Sequence, residues 1–205
     1  DNETLRVIWS AIAAPTSIGL KVNQNTRAAT AVFLEYLKTG KVPVNPPAAG
    51  ATTQGISGAG WGFKQGGVAK GLQVISYLIE TKGPEGFADW WLSPHTLGEL
   101  TEIRKAAGLG SGPVGVGGGK DSIHLGAMVL GDKTGPYSLN INGYEGTTKD
   151  VWFSRSFNRH FGNMKKPDGS LASQPRNQAE RRRMEEFTKK VIDNLEGLGL
   201  SEQDA

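Results

Sequence analysis

Apolar residues recur every three or four positions along most of the chain, which is the spacing of helices that bury one face. This spacing predicts helices over 5–12, 22–37, 68–79, 97–107, 149–162 and 177–198, with short apolar runs at 124–130 and 133–141. Gly40 and the Gly83-Pro84 pair are typical helix ends, and Thr96 with Glu99 three positions later forms a capping box. Since no alternating run of four or more residues is present, we predict an all-α fold of about eight helices.

Two glycine-rich segments interrupt the helical pattern. Glycine accounts for 29 of the 205 residues, about twice the usual ~7%, and is concentrated in residues 49–67 and 108–119. Both segments are predicted to be long loops. The second contains GSGPVG (110–115), but no strand precedes it and Pro113 blocks a following helix. It also contains GGGK (117–120), but Val114 replaces the first glycine of a phosphate-binding loop and Asp121 replaces its Ser/Thr, so neither motif fits a nucleotide-binding loop.

Composition excludes several classes of site. The chain has no cysteine and only three histidines, so disulfides, cysteine nucleophiles, iron–sulfur clusters and cysteine-type zinc sites are excluded. We expect neither a metal nor another cofactor. No apolar run approaches the ~18–20 residues that a membrane helix requires, so we expect no membrane partner.

The charge distribution favours an anionic ligand. The net charge is +3 and the sequence pI is about 9.1, and residues 165–190 have an excess of basic groups. A local basic segment is typical of nucleic-acid binding. It is equally typical of a solvated helix face, which is the alternative for the basic run 181–183.

The segment 127–162 contains a more specific pattern. A turn, Gly131-Asp132-Lys133-Thr134-Gly135, is followed by Asp150-Val151-Trp152-Phe153-Ser154-Arg155, and Arg159 lies four residues further on. This pattern resembles the helix-hairpin-helix DNA glycosylase superfamily, which includes endonuclease III and the 8-oxoguanine glycosylases, and is similar to phage-encoded proteins of related pattern. It differs from the family in two respects: the hairpin has one glycine and no proline, and Trp152 replaces a histidine.

The resemblance implies a single glycosylase-like domain over residues 1–205, built as a two-lobed, all-α helix-hairpin-helix fold. The first lobe would comprise about 20–125, and the second 1–19 together with 126–205, with the active cleft between them. A weaker similarity at residues 9–29 matches the segment that opens the long helix of the family's first subdomain.

The resemblance also implies roles for individual residues. Lys133 falls on the family's nucleophilic lysine, and Asp150 falls on its essential aspartate. Gly131, Thr134, Arg155 and Arg159 would bind DNA. These residue types suit the chemistry, because a carboxylate stabilises positive charge on the sugar and an amine can form a Schiff base at its C1′. The turn would present backbone N–H groups to a phosphate.

Aromatic residues are candidates for the walls of a pocket that holds a base turned out of the duplex. These candidates are Tyr137, Trp152, Trp9, Trp61 and Phe63. Trp61 and Phe63 lie in the first glycine-rich loop, which would close over the cleft. Each assignment has a structural alternative: Tyr137 can be a core residue, and Asp150 can be a helix cap worth ~1 kcal/mol.

We therefore expect a monomeric DNA glycosylase with AP-lyase activity. It would excise a modified or damaged base from double-stranded DNA in the cytoplasm of a bacterial or phage-infected cell. Two other classes stay open. One is a DNA-binding module that has lost its chemistry, and the other is a structural or partner-binding helical protein, such as a virion component.

Overall fold

The computed structural model describes residues 1–18, 20–44, 67–109, 116–144, 157, 169 and 178–197. Its helices are α1 (Asn2–Thr16), α2 (Val22–Thr39), α3 (Gly67–Leu92), α4 (Leu97–Ala106), α5 (Thr134–Ile141) and α6 (Gln178–Gly197), with a 3₁₀ helix at Gly126–Leu130. Two short strands are β1 (Pro94–Thr96) and β2 (Ile123–Leu125). The predicted helical character is confirmed. The chain forms two compact units, Asp1–Gly146 and Thr147–Ala205.

Local sequence signals determine where the helices begin and end. α2 ends at Gly40, whose φ of 71° is in the left-handed region that glycine tolerates best. Within α3 the backbone leaves the helical conformation at Gly83 (φ 73°, ψ 167°), before Pro84. Thr96 Oγ1 accepts a hydrogen bond from Glu99 N at 3.1 Å, and Glu99 Oε2 accepts one from Thr96 N at 2.7 Å. These predicted helix ends are confirmed.

The capping box also affects the charge state of Glu99. The backbone N–H of Thr96, followed by its hydroxyl, donates to the carboxylate and lowers the pKa of Glu99 below its ordinary value. A carboxyl whose pKa is depressed in the folded state stabilises the fold above its unfolded pKa and loses that contribution as the pH falls. The start of α4 is therefore favoured at neutral pH.

A pair of strands departs from the all-α prediction. β1 and β2 pair antiparallel, with His95 opposite His124. Each strand has three residues, so neither is long enough to show the alternation that indicates a strand. Their pairing brings together two segments that α4 and the glycine-rich residues 108–119 separate in the sequence.

Helix α1 lies at the centre of the first unit and packs against α2, α3 and α5. Ile8, Ala11 and Ile12 on this helix are fully buried, and each buried isoleucine contributes about 1.5–3 kcal/mol of hydrophobic stabilisation. Gly71 of α3 allows a close helix crossing, because a side chain there would collide with Pro15 of α1.

Buried hydrogen bonds connect α1, α3 and α5. Trp91 Nε1 donates to Ser138 Oγ at 2.9 Å, and Ser138 Oγ lies 3.3 Å from Ser10 Oγ. Ser10 donates to the Val7 carbonyl at 2.8 Å. Its single proton is therefore used, and Ser138 must be the donor between the two serines. Asn142 Nδ2 also donates to Ser10 Oγ, at 2.6 Å.

The predicted lobes divide these elements differently from the observed contacts. Residues 1–19 were assigned to the second lobe, yet α1 shares one buried cluster with α2 and α3 as well as with α5. The lobe division stays a prediction, because the segments 45–66 and 145–156 lie outside the described residues.

The second unit contains α6, in agreement with the helix predicted at 177–198. Met184 is fully buried and packs with Phe157 and Phe187, whose rings meet edge to face at 5.5 Å between centroids. Arg182 and Arg183 are exposed. Among the described ranges, no helix combines the length and apolarity needed to cross a bilayer.

We expect Ser138→Ala to destabilise the protein by about 1–3 kcal/mol, because it leaves the buried Trp91 N–H without an acceptor. In a Trp91→Phe background no such N–H exists, so the same substitution should cost less than about half as much. Urea unfolding of the four proteins in the cycle measures both values.

Ser93→Ala is the matched control, because Ser93 is half-buried and its hydroxyl donates to a carbonyl of the preceding helix turn, that of Asp89. It should change the unfolding free energy by less than about 0.5 kcal/mol. An equal cost of Ser138→Ala in both backgrounds would contradict the assigned role of the Trp91 hydrogen bond.

Candidate functional site

The segment around Lys133 forms a turn between two helices. The 3₁₀ helix ends at Leu130, the backbone turns at Gly131 (φ 97°, ψ 173°), and α5 begins at Thr134. Gly131 N donates to the Met128 carbonyl at 2.8 Å. The positive φ is one that glycine adopts without strain. The predicted turn and following helix are confirmed, and residues 131–134 are called the hairpin below.

Close packing holds the hairpin against the 3₁₀ helix. A Cβ atom at Gly135 would lie 2.8 Å from Met128 Sδ and 2.9 Å from the Ala127 carbonyl oxygen. Gly135 N also donates to the Gly131 carbonyl at 2.9 Å. Because Gly135 has no side chain, the first turn of α5 can pack directly against the 3₁₀ helix.

Lys133 is the N-cap residue of α5 and is half-buried. No carboxylate in the described ranges forms an ion pair with its ammonium group; the ion pairs found there are Arg6–Glu3 and Lys105–Glu102. Within these ranges, the Lys133 side chain therefore has no salt bridge that accounts for its position. Gly131 and Thr134 on either side of it are both buried.

Tyr137 lies one helical turn after Lys133 and connects α5 to the start of α2. Its hydroxyl accepts a hydrogen bond from Asn25 Nδ2 at 3.2 Å, and its half-buried ring packs against the core. Asn25 is itself held by Thr16, whose Oγ1 donates to Asn25 Oδ1 at 2.7 Å. This contact favours the core alternative for Tyr137, and its role in stacking on a base stays a prediction.

The other predicted site residues divide into two groups. Trp9 is half-buried on α1 and packs against the core of the first unit. The remaining residues lie outside the described ranges: Asp150, Trp152, Arg155, Arg159, Trp61 and Phe63. The structure therefore brings Lys133 together with Gly131, Thr134 and Tyr137, and the pairing of Lys133 with Asp150 stays a prediction.

A serine–histidine contact elsewhere in the first unit does not form a nucleophilic pair. Ser122 Oγ lies 3.0 Å from His124 Nε2, but the same hydroxyl donates to the Gly119 carbonyl at 2.7 Å. Its single proton is therefore directed away from the imidazole, which cannot act on it as a base. Among the described residues, no three His, Cys, Asp or Glu side chains are close enough to hold a metal ion.

Arg104 was not among the predicted site residues, although it lies beside the hairpin. Its NH1 group donates to the Val129 carbonyl at 3.0 Å, and its Nε is buried without a hydrogen-bond partner among the described residues. Burial lowers the pKa of its guanidinium below the ordinary value. Arg104 lies four residues after Leu100, at the spacing of the apolar face of α4, and this was the sequence signal that could have revealed it.

We expect Gly135→Ala to destabilise the fold by about 1–3 kcal/mol, because the added methyl group overpacks the contact between α5 and the 3₁₀ helix. Helix propensity alone predicts that Gly135→Ala stabilises the fold, since alanine is favoured over glycine in a helix by about 1 kcal/mol. Urea unfolding decides between them. Gly119→Ala is the control, because a Cβ there meets nothing within 4 Å. A Gly135→Ala protein as stable as this control would contradict the close packing.

Comparison of the chain with models of protein families, with curated proteins and with solved structures finds no match.

Proposed function

We propose that this chain is a DNA glycosylase with AP-lyase activity, in which Lys133 is the nucleophile and Asp150 the assisting carboxylate. The observation that supports the proposal is the position of Lys133. It caps a helix that begins at a glycine turn, it lies on a closely packed hairpin, and it forms no ion pair among the described residues.

The chemistry requires one amine and one carboxylate. The neutral amine of Lys133 attacks C1′ of the deoxyribose, and the glycosidic C–N bond breaks, so its electron pair leaves with the base. Asp150 stabilises the positive charge that develops on the sugar and accepts a proton from the attacking nitrogen. The sugar ring then opens to an imine between Lys133 and C1′, with O4′ taking up a proton. Loss of a proton from C2′ to water then expels the 3′ phosphate by β-elimination.

DNA binding in this proposal relies mainly on phosphate contacts. Backbone N–H groups of the hairpin lie at the start of α5, where the helix dipole favours an anion. Arg155 and Arg159 would add contacts to neighbouring phosphates. The target base would leave the stack and be held by aromatic side chains, for which the candidates are Tyr137, Trp152, Trp9, Trp61 and Phe63.

Reduction of the imine provides the decisive test of the nucleophile. In sodium borohydride, the protein incubated with a duplex containing a damaged base or an abasic site should become covalently joined to DNA. Lys133→Gln should abolish the adduct, because an amide cannot form the imine. Lys120→Gln is the matched control, since Lys120 is an exposed amine of the same unit, and it should leave the adduct yield unchanged. Mass spectrometry of the trapped peptide identifies the modified residue.

The outcomes separate the function classes. An adduct on another lysine would overturn the assignment of Lys133. Base release without an adduct would indicate an enzyme that uses water and has no lyase step. Salt-sensitive DNA binding without either reaction would indicate a DNA-binding module, and the absence of binding at low salt would indicate a structural or partner-binding protein.

We expect Asp150→Asn to slow base excision by at least about a hundredfold, the usual cost of removing one group that stabilises transition-state charge. Affinity for the duplex should change little, because the carboxylate acts mainly in the transition state. Single-turnover excision and fluorescence anisotropy measure the two quantities. Asp168→Asn is the control, because it makes the same change from carboxylate to amide at a residue with no proposed role in excision. Equal loss of rate and affinity would instead indicate a helix-capping role for Asp150.

A further inference from the structure

Arg104 is held beside the entrance to the hairpin. It lies in the last turn of α4, which packs against the 3₁₀ helix. Its NH1 group donates to the carbonyl of Val129 at 3.0 Å, and Val129 lies two residues before Gly131, where the hairpin begins. The guanidinium is therefore anchored to the backbone that leads directly into the hairpin.

The charge of Arg104 is not compensated within the described part of the chain. Its Nε is buried with no hydrogen-bond partner, and no carboxylate there forms an ion pair with it. The next residue, Lys105, is exposed and pairs with Glu102 at 3.6 Å. A partly buried cation without a carboxylate weakens the fold relative to an apolar residue of similar volume, so Arg104 needs an explanation other than stability.

The geometry suits an oxyanion. A guanidinium has five N–H donors in a planar fork that matches the oxygens of a phosphate. Among the described residues, only its NH1 group has an acceptor, the Val129 carbonyl. Anchoring on the Val129 carbonyl reduces the conformational entropy that binding would cost. Partial burial strengthens attraction to an anion, since the effective dielectric constant is lower than in water. The N-terminus of α5, which begins five residues after Val129 along the chain, favours the same sign of charge.

We propose that Arg104 is a phosphate-binding residue, which holds a phosphate group beside the hairpin. That this phosphate belongs to the DNA backbone rests on the proposed function, whereas the anion site itself follows from the surroundings of Arg104. The site would anchor the strand next to the nucleotide that Lys133 attacks.

Duplex binding tests the proposal with matched variants. Fluorescence anisotropy is measured with a duplex containing a tetrahydrofuran abasic-site analogue, over a series of salt concentrations. Arg104→Gln should weaken binding about tenfold at low salt and reduce the slope of log K against log[salt] by about one unit. Lys105→Gln removes one positive charge from the same helical turn and should weaken binding less than about twofold. Equal losses in the two variants would show a general charge effect and overturn the proposal.

A stability measurement separates binding from folding. Because Arg104→Gln removes a partly buried cation that no described carboxylate compensates, its urea midpoint should equal or exceed that of the parent protein. Arg104→Lys retains the charge without the planar fork and should bind with intermediate affinity. A large fall in the urea midpoint of both variants would show that Arg104 supports the fold, and this result would overturn the proposal.

A measurement without DNA distinguishes failure of this proposal from failure of the proposed function. The ¹⁵N-edited NMR signal of the Arg104 Nε–H group is followed while inorganic phosphate is added to the parent protein, with chloride at equal ionic strength as control. A saturating shift specific to phosphate supports the site even if no duplex binds, and the glycosylase proposal alone would then fail. No shift, together with no selective loss of duplex affinity in Arg104→Gln, overturns the site.

Discussion

The hydroxyl of Ser138 lies buried where α1, α3 and α5 meet, and the position of α5 depends on its hydrogen bonds. It accepts from the Trp91 indole and lies within hydrogen-bond distance of Ser10. Small side chains at Ser10 and Ser138 let the helices approach, while the hydrogen bonds remove the cost of burying their polar atoms. Hydrogen bonds constrain the position of α5 more narrowly than apolar contact does, because they require particular distances and angles. The hydrogen bonds select one arrangement.

The candidate site follows from that arrangement. Once α5 is fixed against α1, its first turn meets the 3₁₀ helix at Gly135, and Tyr137 meets Asn25 at the start of α2. Lys133 then lies at the N-cap position of a helix whose buried residues include Thr134, Gly135, Ser138 and Leu139. Arg104 approaches the same region from α4 through the Val129 carbonyl. Two helices thus contribute a cation to the structure on either side of Gly131 along the chain: α5 carries Lys133 at its N-cap, and α4 carries Arg104, bonded to the Val129 carbonyl.

Several parts of the fold and site were predictable because their signals are local. Gly40, Gly83 and the Thr96–Glu99 pair act on residues within four positions, and the structure has the helix ends they predict. The turn at Gly131 and the helix after it also follow from local signals. The strands could not be predicted, since three residues show no periodicity and β1 pairs with a segment beyond α4. Arg104 was missed because a basic residue in a helix usually faces solvent.

The sequence by itself determined the position of most helices in the described ranges, the helix boundaries at Gly40, Gly83 and Thr96, and the turn that carries Lys133, since these features depend on backbone preferences and short-range hydrogen bonds. Only the tertiary structure decided which side chains meet across helices. Ser10 finds Ser138, Gly71 receives Pro15, and the guanidinium of Arg104 reaches the carbonyl before the hairpin. These contacts join residues distant in the chain, and the physical reason they form is that helices pack so as to bury apolar surface while keeping buried polar groups bonded.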